Sequence, residues 1–339
     1  LGSRRAKSDG GRLRLLLELM ELAMDGEAGG GEEELGEGDE GSARLLEMIF
    51  ACDLKAGGEE QKALLEVLRS AGDRVPAAWV PFLRGLDARG ANGLFAAACR
   101  LELVLQGSER GRKGGDEVAE IVRALGRART ADDTVYLKWA IETALANGRA
   151  ALAKELLEIQ RQVQPSTLSH AVEAIAVHAA MDDGAALALI YQELLRDRIE
   201  DGLRGRNTML QERAKYPEAF AKAGQVERAM RLYEHYFTQL DSLRREDRDF
   251  YEGYARLLIE EGRYFDAERV LRRAFRKNID FSVEVLIDLY EDWGRLAALP
   301  NALKKYDLSS GLRKKVEFLV RSREREGRSD AADDRQAAP

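Results

Sequence analysis

The stretch that decides the fold is FYEGYARLLIEEGRYFDAERVLRRAFRKNID, which runs from Phe250 to Asp280. Its apolar residues recur every three or four positions on both sides of Gly262, which is the spacing of one buried stripe on a helix. Because glycine adopts a left-handed backbone at no steric cost, Gly262 is the expected end of the first helix. The stretch therefore predicts two helices that fold back antiparallel across a very short turn.

The same arrangement recurs along much of the chain. Helical patterns interrupted by a glycine predict further hairpins that turn at Gly148, Gly184, Gly224 and Gly294. Together with Gly262, these glycines lie 36, 40, 38 and 32 residues apart in chain order. No segment shows the period-two alternation that is typical of strands. The chain is therefore predicted to be all-α and built from successive antiparallel helix pairs.

The overall composition favours helices, and the net charge argues against nucleic acid and anionic membranes as general ligands. Among 339 residues, 45% are apolar, 33% are charged and only six are proline. The net charge of −7 gives no general attraction to nucleic acid or to an anionic membrane. Cys52 and Cys99 lie in apolar helical patterns without metal-ligand spacing, so we expect small core residues. This usage is typical of the cytoplasm or another reducing compartment, and an organelle stays open.

The residues around Gly262 resemble a tetratricopeptide repeat (TPR). The shared features are an aromatic and a small residue in the first helix, the turn glycine, and an aromatic and two small residues after it: Tyr251, Ala255, Gly262, Tyr264, Ala267 and Ala274. The resemblance covers roughly residues 134–306 and implies a right-handed α-solenoid of antiparallel helix pairs. The repeat length varies, so related pentatricopeptide and HAT-type hairpins are the alternatives.

The remainder of the chain is predicted to divide around these repeats. Residues 25–43 carry eight acidic residues and no Lys or Arg, which predicts a flexible linker. Residues 1–10 open on Leu-Gly-Ser without an initiator Met, so we expect a cloning remnant with a basic disordered start, cut from a longer natural protein. The other predicted segments are an N-terminal helix at 11–24, divergent hairpins at 44–106, an exposed loop at 107–116, repeats with a basic capping helix at 117–328, and a disordered tail at 329–339.

The sequence predicts no catalytic, metal or cofactor site. His170, His178 and His235 lack the spacing of paired metal ligands, so we expect structural histidines. GEGDEG at 36–41 has the glycine spacing of a dinucleotide site, but its acidic neighbours would repel a pyrophosphate and no strand pattern precedes it. Motifs of activated nucleophiles are absent from the sequence. We therefore expect a protein that is not an enzyme and needs no cofactor.

The resemblance implies that the first helix of each pair lines a concave groove. In the last two clear units, the candidate partner-binding residues on these helices are acidic: Asp249, Glu252, Glu260, Glu284, Asp288 and Glu291. An alternative basic face follows on the next helix: Arg269, Arg272, Arg273, Arg276 and Lys277.

These faces predict the class of partner. We expect a scaffold or assembly factor that binds a protein, through a basic segment of that protein, within a larger assembly. The alternative is an RNA-binding helical-repeat protein, which would need Lys and Arg on its binding face. No direct membrane insertion is expected, because the apolar run at 12–24 is short and carries Glu18 and Glu21.

Overall fold

A computed structural model describes the following residues of the chain: 46–50, 58–71, 79–86, 93–107, 114–196, 209–239, 248–275, 283–305, 310–311 and 313–322. Every regular element within these ranges is helical, so the predicted all-α class is confirmed. The predicted segments 1–10, 11–24, 25–43 and 329–339 lie outside the described residues, as do Cys52, Arg276 and Lys277.

The chain forms two compact units, Leu1–Leu187 and Ala188–Pro339. The helices that begin in the first unit are α1 (Glu59–Ala71), α2 (Trp79–Gly85), α3 (Gly93–Gly107), α4 (Gly114–Leu125), α5 (Thr134–Ala146), α6 (Ala150–Val163), α7 (Ala171–Ala180) and α8 (Gly184–Arg196). The second unit continues with α9 (Met209–Lys222), α10 (Val226–Thr238), α11 (Arg248–Glu260), α12 (Tyr264–Phe275), α13 (Val283–Asp292) and α14 (Leu299–Ala302). Residues 46–50 and 313–322 are also helical.

In the first unit, helices pack in pairs and the pairs pack through their first members. Helix α3 packs on α4, and α5 packs on α6. In addition α3 packs against α1 and α5, while α5 packs against α7. Aromatic rings fill this contact, with the Phe95 centroid 6.1 Å from those of both Tyr136 and Trp139. The apolar stripe of each first helix is thereby removed from water, which is the main stabilising contribution.

The second unit repeats this arrangement. Helices α9 and α10 form one pair, α11 and α12 form another, and α11 packs against both α9 and α13. Tyr233 lies at the centre, with its ring stacked on Tyr254 at 4.9 Å and edge-on to Phe250 at 5.3 Å. All three rings are buried. Aromatic pairs at such distances contribute beyond the area that they bury.

One hydrogen-bond pattern closes the first helix of the predicted hairpins. At the turn of α11, the Gly262 amide donates to the Ile259 carbonyl at 2.9 Å and the Arg263 amide donates to the Leu258 carbonyl at 2.8 Å. These two bonds define a Schellman turn, whose left-handed residue is usually glycine. The same pair of bonds closes α5, α7, α9 and α13. Four predicted turn glycines have the expected positive φ: Gly148 at 66°, Gly224 at 72°, Gly262 at 69° and Gly294 at 65°.

The turn between α7 and α8 differs from the prediction. Its left-handed residue is Asp182, with φ of 54°, whereas Gly184 is the first residue of α8. The prediction that the chain turns at Gly184 is therefore wrong by two positions. Asp183 lies between them and accepts a hydrogen bond from the Ala186 amide at 3.0 Å. Because Asp183 caps α8 in this way, the left-handed position falls on Asp182, and Asp is one of the few residues that tolerates it.

A buried alanine follows three of the turn glycines at a fixed distance. Ala153, Ala229 and Ala267 each come five residues after the glycine, and all three are fully buried. Their amides donate to the residue that directly follows the glycine, at 3.0 Å in each case. A small side chain at this point lets the second helix lie close to the first. These repeated positions are the strongest structural basis for a helical repeat.

The structure also revises two predicted boundaries. After Gly294 the second helix is not continuous, because α14 has four residues and lies between the 3-10 turns Leu296–Ala298 and Leu303–Lys305. Both ends of the predicted loop at 107–116 are helical, since α3 extends to Gly107 and α4 begins at Gly114. Pro217 lies inside α9, which runs through it from Met209 to Lys222. Helix α6 ends at Val163, two residues before Pro165.

Candidate functional site

The six acidic candidates lie on two helices that pack against each other. Helix α11 carries Asp249, Glu252 and Glu260, and α13 carries Glu284, Asp288 and Glu291. At about 100° per residue, the residues of α11 fall within a sector of roughly 80° and those of α13 within roughly 60°. Each helix therefore presents its carboxylates as one stripe. We call these six residues the acidic face.

The acidic face is partly neutralised by two arginines. Glu252 accepts a hydrogen bond from Arg248 Nε at 2.9 Å, within α11. Asp288 accepts one from Arg256 Nη1 at 3.3 Å, which joins α13 to α11. The exposed members of the face are Asp249, Glu260, Glu284 and Glu291. Six carboxylates and two guanidinium groups leave a formal net charge of −4.

The pair between Arg256 and Asp288 belongs to a wider packing pattern. In the first unit, Arg69 Nε lies 3.1 Å from Glu102 Oε2 and joins α1 to α3. Lys138 Nζ lies 3.1 Å from Glu173 Oε1 and joins α5 to α7. Cation and carboxylate thus bridge neighbouring first helices in both units. Asp288 therefore contributes to packing between helices, whereas Asp249, Glu260 and Glu284 are exposed and form no ion pair within the described residues.

Glu218 extends the acidic face onto α9. It precedes Gly224 by six residues, as Arg256 precedes Gly262 and Asp288 precedes Gly294. Its side chain is half-buried, and burial is the largest cause that raises its pKa, with Lys222 opposing and Asp249 adding to the shift. Sequence analysis missed this residue. The constant offset from the turn glycine is the signal that identifies it.

A cluster of aromatic residues lies where α12 begins and where α13 ends. Phe265 and Trp293 meet edge to face with centroids 4.7 Å apart, and Tyr264 stacks on Trp293 at 5.8 Å. The Arg295 guanidinium lies 4.4 Å from the centroid of the Trp293 ring. Phe265 is 71% exposed, although large apolar side chains are usually buried. We call Tyr264, Phe265, Trp293 and Arg295 the aromatic cluster; sequence analysis used only Tyr264, as a repeat residue.

Most of the described arginines of the alternative basic face are engaged within the fold. Arg272 bonds Glu268 at 2.6 Å, and the same carboxylate accepts from the Tyr290 hydroxyl of α13 at 2.8 Å. Arg273 donates to the Phe237 carbonyl at 3.2 Å and lies 4.5 Å over the Phe237 ring, so it closes the end of α10. Arg269 is exposed and pairs with Asp266 at 3.3 Å. The half-buried arginines thus hold α12 against its neighbours.

The titratable groups that sequence analysis considered for chemistry have local partners or lie in the core. His178 Nδ1 is 3.2 Å from Asp183, in the turn that begins α8. Burial, followed by the charge of Arg161, lowers the pKa of His170, and burial raises the pKa of the Cys99 thiol. No group of three or more His, Cys, Asp or Glu side chains in the described ranges is placed to hold a metal ion. Within the same ranges, no helix has both the length and the apolar composition to cross a bilayer.

No protein-family model, curated protein or solved structure matches this chain. The functional assignment therefore depends on the geometry of the acidic face and the aromatic cluster.

Proposed function

We propose that the hairpins of this chain are TPR-like and form a right-handed α-solenoid, as the resemblance at Gly262 implies. Three features support this proposal. The Schellman turns recur, a buried alanine follows three of them by five residues, and successive first helices pack side by side within each unit. Such an arrangement leaves the exposed stripes of neighbouring first helices adjacent, which suits recognition of an extended segment.

We further propose that the chain is a non-enzymatic scaffold that binds a basic segment of a protein partner through the acidic face. The observation that carries this proposal is that exposed carboxylates stand close in sequence to the aromatic cluster, whose Phe265 ring is exposed. Glu260 ends α11, five residues before Phe265 of α12, and Glu291 lies in the last turn of α13, two residues before Trp293.

The chemistry of these side chains selects the partner. Carboxylates steer Lys and Arg side chains toward the face and raise the association rate. Aromatic rings attract the same cations, and a large exposed ring supplies the apolar anchor that dominates many protein interfaces. Both parts of the site therefore favour a segment that combines Lys or Arg with an apolar residue.

The test reverses only the carboxylates that form no ion pair within the described residues. We would change Asp249, Glu260 and Glu284 together to Lys, which leaves the pairs of Glu252 with Arg248 and of Asp288 with Arg256 in place. The matched control makes the same change of charge at exposed acidic residues outside this face: Asp132, Glu155 and Glu193.

A photo-crosslinking amino acid at Phe265 would report the partner in a lysate of the source organism. We expect a protein adduct whose crosslinked segment is rich in Lys or Arg. The reversal should reduce this adduct by about tenfold or more, because opposite charges in the site become like charges. The control variant should retain it. Equal adducts in the two variants, or a crosslinked segment that is acidic, would contradict the proposal.

Binding to RNA is the outcome that would replace this function. Filter binding of single-stranded RNA at low salt should give no tight complex, because the acidic face repels phosphate. A tight complex that weakens steeply as salt rises would favour the RNA-binding alternative.

A further inference from the structure

A second site lies in the first unit, where residues in and next to α2, α3 and α4 line a cavity of about 260 Å³ that is open to the surface. Four arginines line it: Arg84 from α2, Arg100 from α3, Arg123 from α4, and Arg127, which follows α4. Gly93 and Ala97 leave the space beside them open, since neither has a side chain larger than a methyl group. Glu120 is the carboxylate among the lining residues.

Glu117 and Glu120 form ion pairs with Arg84 and Arg100. Glu117 Oε1 lies 3.0 Å from Arg84 Nη2 and 3.2 Å from Arg100 Nη2. Glu120 is farther away, at 3.9 Å from Arg84 and 3.6 Å from Arg100. Glu117 and Glu120 therefore offset the charge of this pair of arginines.

Arg123 and Arg127 have no such partner. Both are exposed, and neither forms an ion pair or a hydrogen bond with another side chain in the described part of the chain. Four guanidinium groups and two carboxylates leave the cavity with a formal charge of +2. This local excess stands against a net charge of −7 for the whole chain.

Arg100 shows that the site is built into the packing of the unit. Its side chain is only 5% exposed, and its Nε is buried without a hydrogen-bond acceptor among the described residues. A buried guanidinium is unfavourable unless its donors are satisfied and its charge is compensated. A bound anion would add negative charge and acceptor oxygens beside it.

We propose that this cavity binds the phosphate monoester group of a small molecule. A phosphate monoester carries a charge of about −1.5 to −2 at neutral pH, which matches the excess of +2. Guanidinium groups bond phosphate oxygens through paired donors, which is why arginine predominates in such sites. The volume lies just below the roughly 300–1,000 Å³ of sites for drug-sized ligands, so a small phosphorylated molecule fits. A monocarboxylate would leave half of the excess charge uncompensated.

Isothermal titration calorimetry at fixed ionic strength tests the site with phenyl phosphate and inorganic phosphate as probes. The variant Arg123→Gln/Arg127→Gln removes the two unpaired guanidinium groups. The matched control Arg149→Gln/Lys154→Gln removes the same charge from exposed positions outside the cavity. All four positions are exposed, so the melting temperatures without ligand should be close to that of the unchanged chain.

We expect saturable binding of phenyl phosphate to the unchanged chain and to the control. The cavity variant should bind at least about tenfold more weakly, because hydrogen bonds from charged donors are among the strongest in proteins. Three results would overturn the proposal: no saturable binding of either phosphate probe, equal affinity in the cavity variant, or equally tight binding of acetate. The site does not depend on the acidic face, so its test stands apart from that of the proposed function.

Discussion

Replacing Gly253 by alanine should destabilise the second unit, because the added methyl group would collide with the Tyr233 hydroxyl. Replacing Tyr233 by phenylalanine removes that hydroxyl and should relieve the collision. Gly253 lies in α11, where an added methyl carbon would be 2.5 Å from the Tyr233 hydroxyl oxygen and 3.2 Å from Glu218 Oε1. The Glu218 carboxylate ends a flexible side chain and is free to shift. Tyr233 is 1% exposed and packed between Phe250 and Tyr254, so its ring has no room to move.

The size and sign of the effect follow from these distances. Overpacking of a buried contact costs about 1–3 kcal/mol, while alanine is favoured over glycine inside a helix by roughly 1 kcal/mol. Gly253→Ala alone should therefore lower the free energy of unfolding by about 0–2 kcal/mol. In a Tyr233→Phe background the nearest ring atom is Cζ at 3.5 Å, an ordinary van der Waals distance. There the helix preference remains, and the same substitution should stabilise by up to about 1 kcal/mol.

Urea unfolding of the four chains, followed by far-UV circular dichroism, measures the coupling. We expect an interaction energy of about 1–3 kcal/mol between the two positions, because residues in direct contact are not additive. The control is Gly115→Ala in α4, where no heavy atom lies within 4 Å of the added carbon, and it should have the same effect in both backgrounds. If Gly253→Ala changes stability equally with and without the Tyr233 hydroxyl, α10 and α11 do not approach each other closely at this point, and the reasoning is refuted.

Further predictions concern the turns and one buried histidine. Gly262→Val places a branched side chain at positive φ, and Ala267→Ile overfills a fully buried position. Each substitution should lower the free energy of unfolding by about 1–3 kcal/mol, measured by thermal or urea unfolding. Unchanged unfolding midpoints would contradict the predicted hairpin. Asp182→Gly relieves the left-handed backbone and should stabilise by roughly 0.5–1 kcal/mol, whereas Asp182→Val should destabilise. Because burial lowers the pKa of His170 from 6.5, the unfolded chain binds its proton more readily, and stability should fall as pH drops through 6.5. His170→Gln should show a shallower fall between pH 7.5 and 5.5, and an unchanged slope would exclude this histidine as the cause.

The helices and four of the five turns were predictable because their causes are local. A stripe of apolar residues and a glycine at its end specify a helix and its stop within about a dozen positions. The exception at Gly184 has a local cause as well. Asp183 competes for the cap of α8, and a glycine two residues after a tolerant aspartate does not have to be the turn residue.

The charged sites were not predictable in the same way, because they combine side chains that are distant in sequence. Arg256 bonds Asp288 across 32 residues, and Arg273 bonds the carbonyl of Phe237 across 36. Helix periodicity places each arginine on a face but does not say which neighbour that face meets. The six acidic residues lie on α11 and α13, but the pairing of Arg256 with Asp288 could not be foreseen before these two helices were known to pack.

The net charge of the chain is a poor guide to its ligands. A value of −7 argues against anions, yet three helical arginines and Arg127, which follows α4, leave an excess of +2 around one small cavity. At physiological ionic strength the Debye length is about 8 Å, so exposed charges beyond that distance contribute little to a bound ion. A phosphate group in the cavity therefore interacts with Arg123 and Arg127 far more strongly than with acidic residues elsewhere on the surface. The same screening means that the exposed carboxylates Asp249, Glu260 and Glu284 act on a basic segment only at close range. The ligand that we propose for each site therefore depends on the side chains within reach, and neither proposal follows from composition.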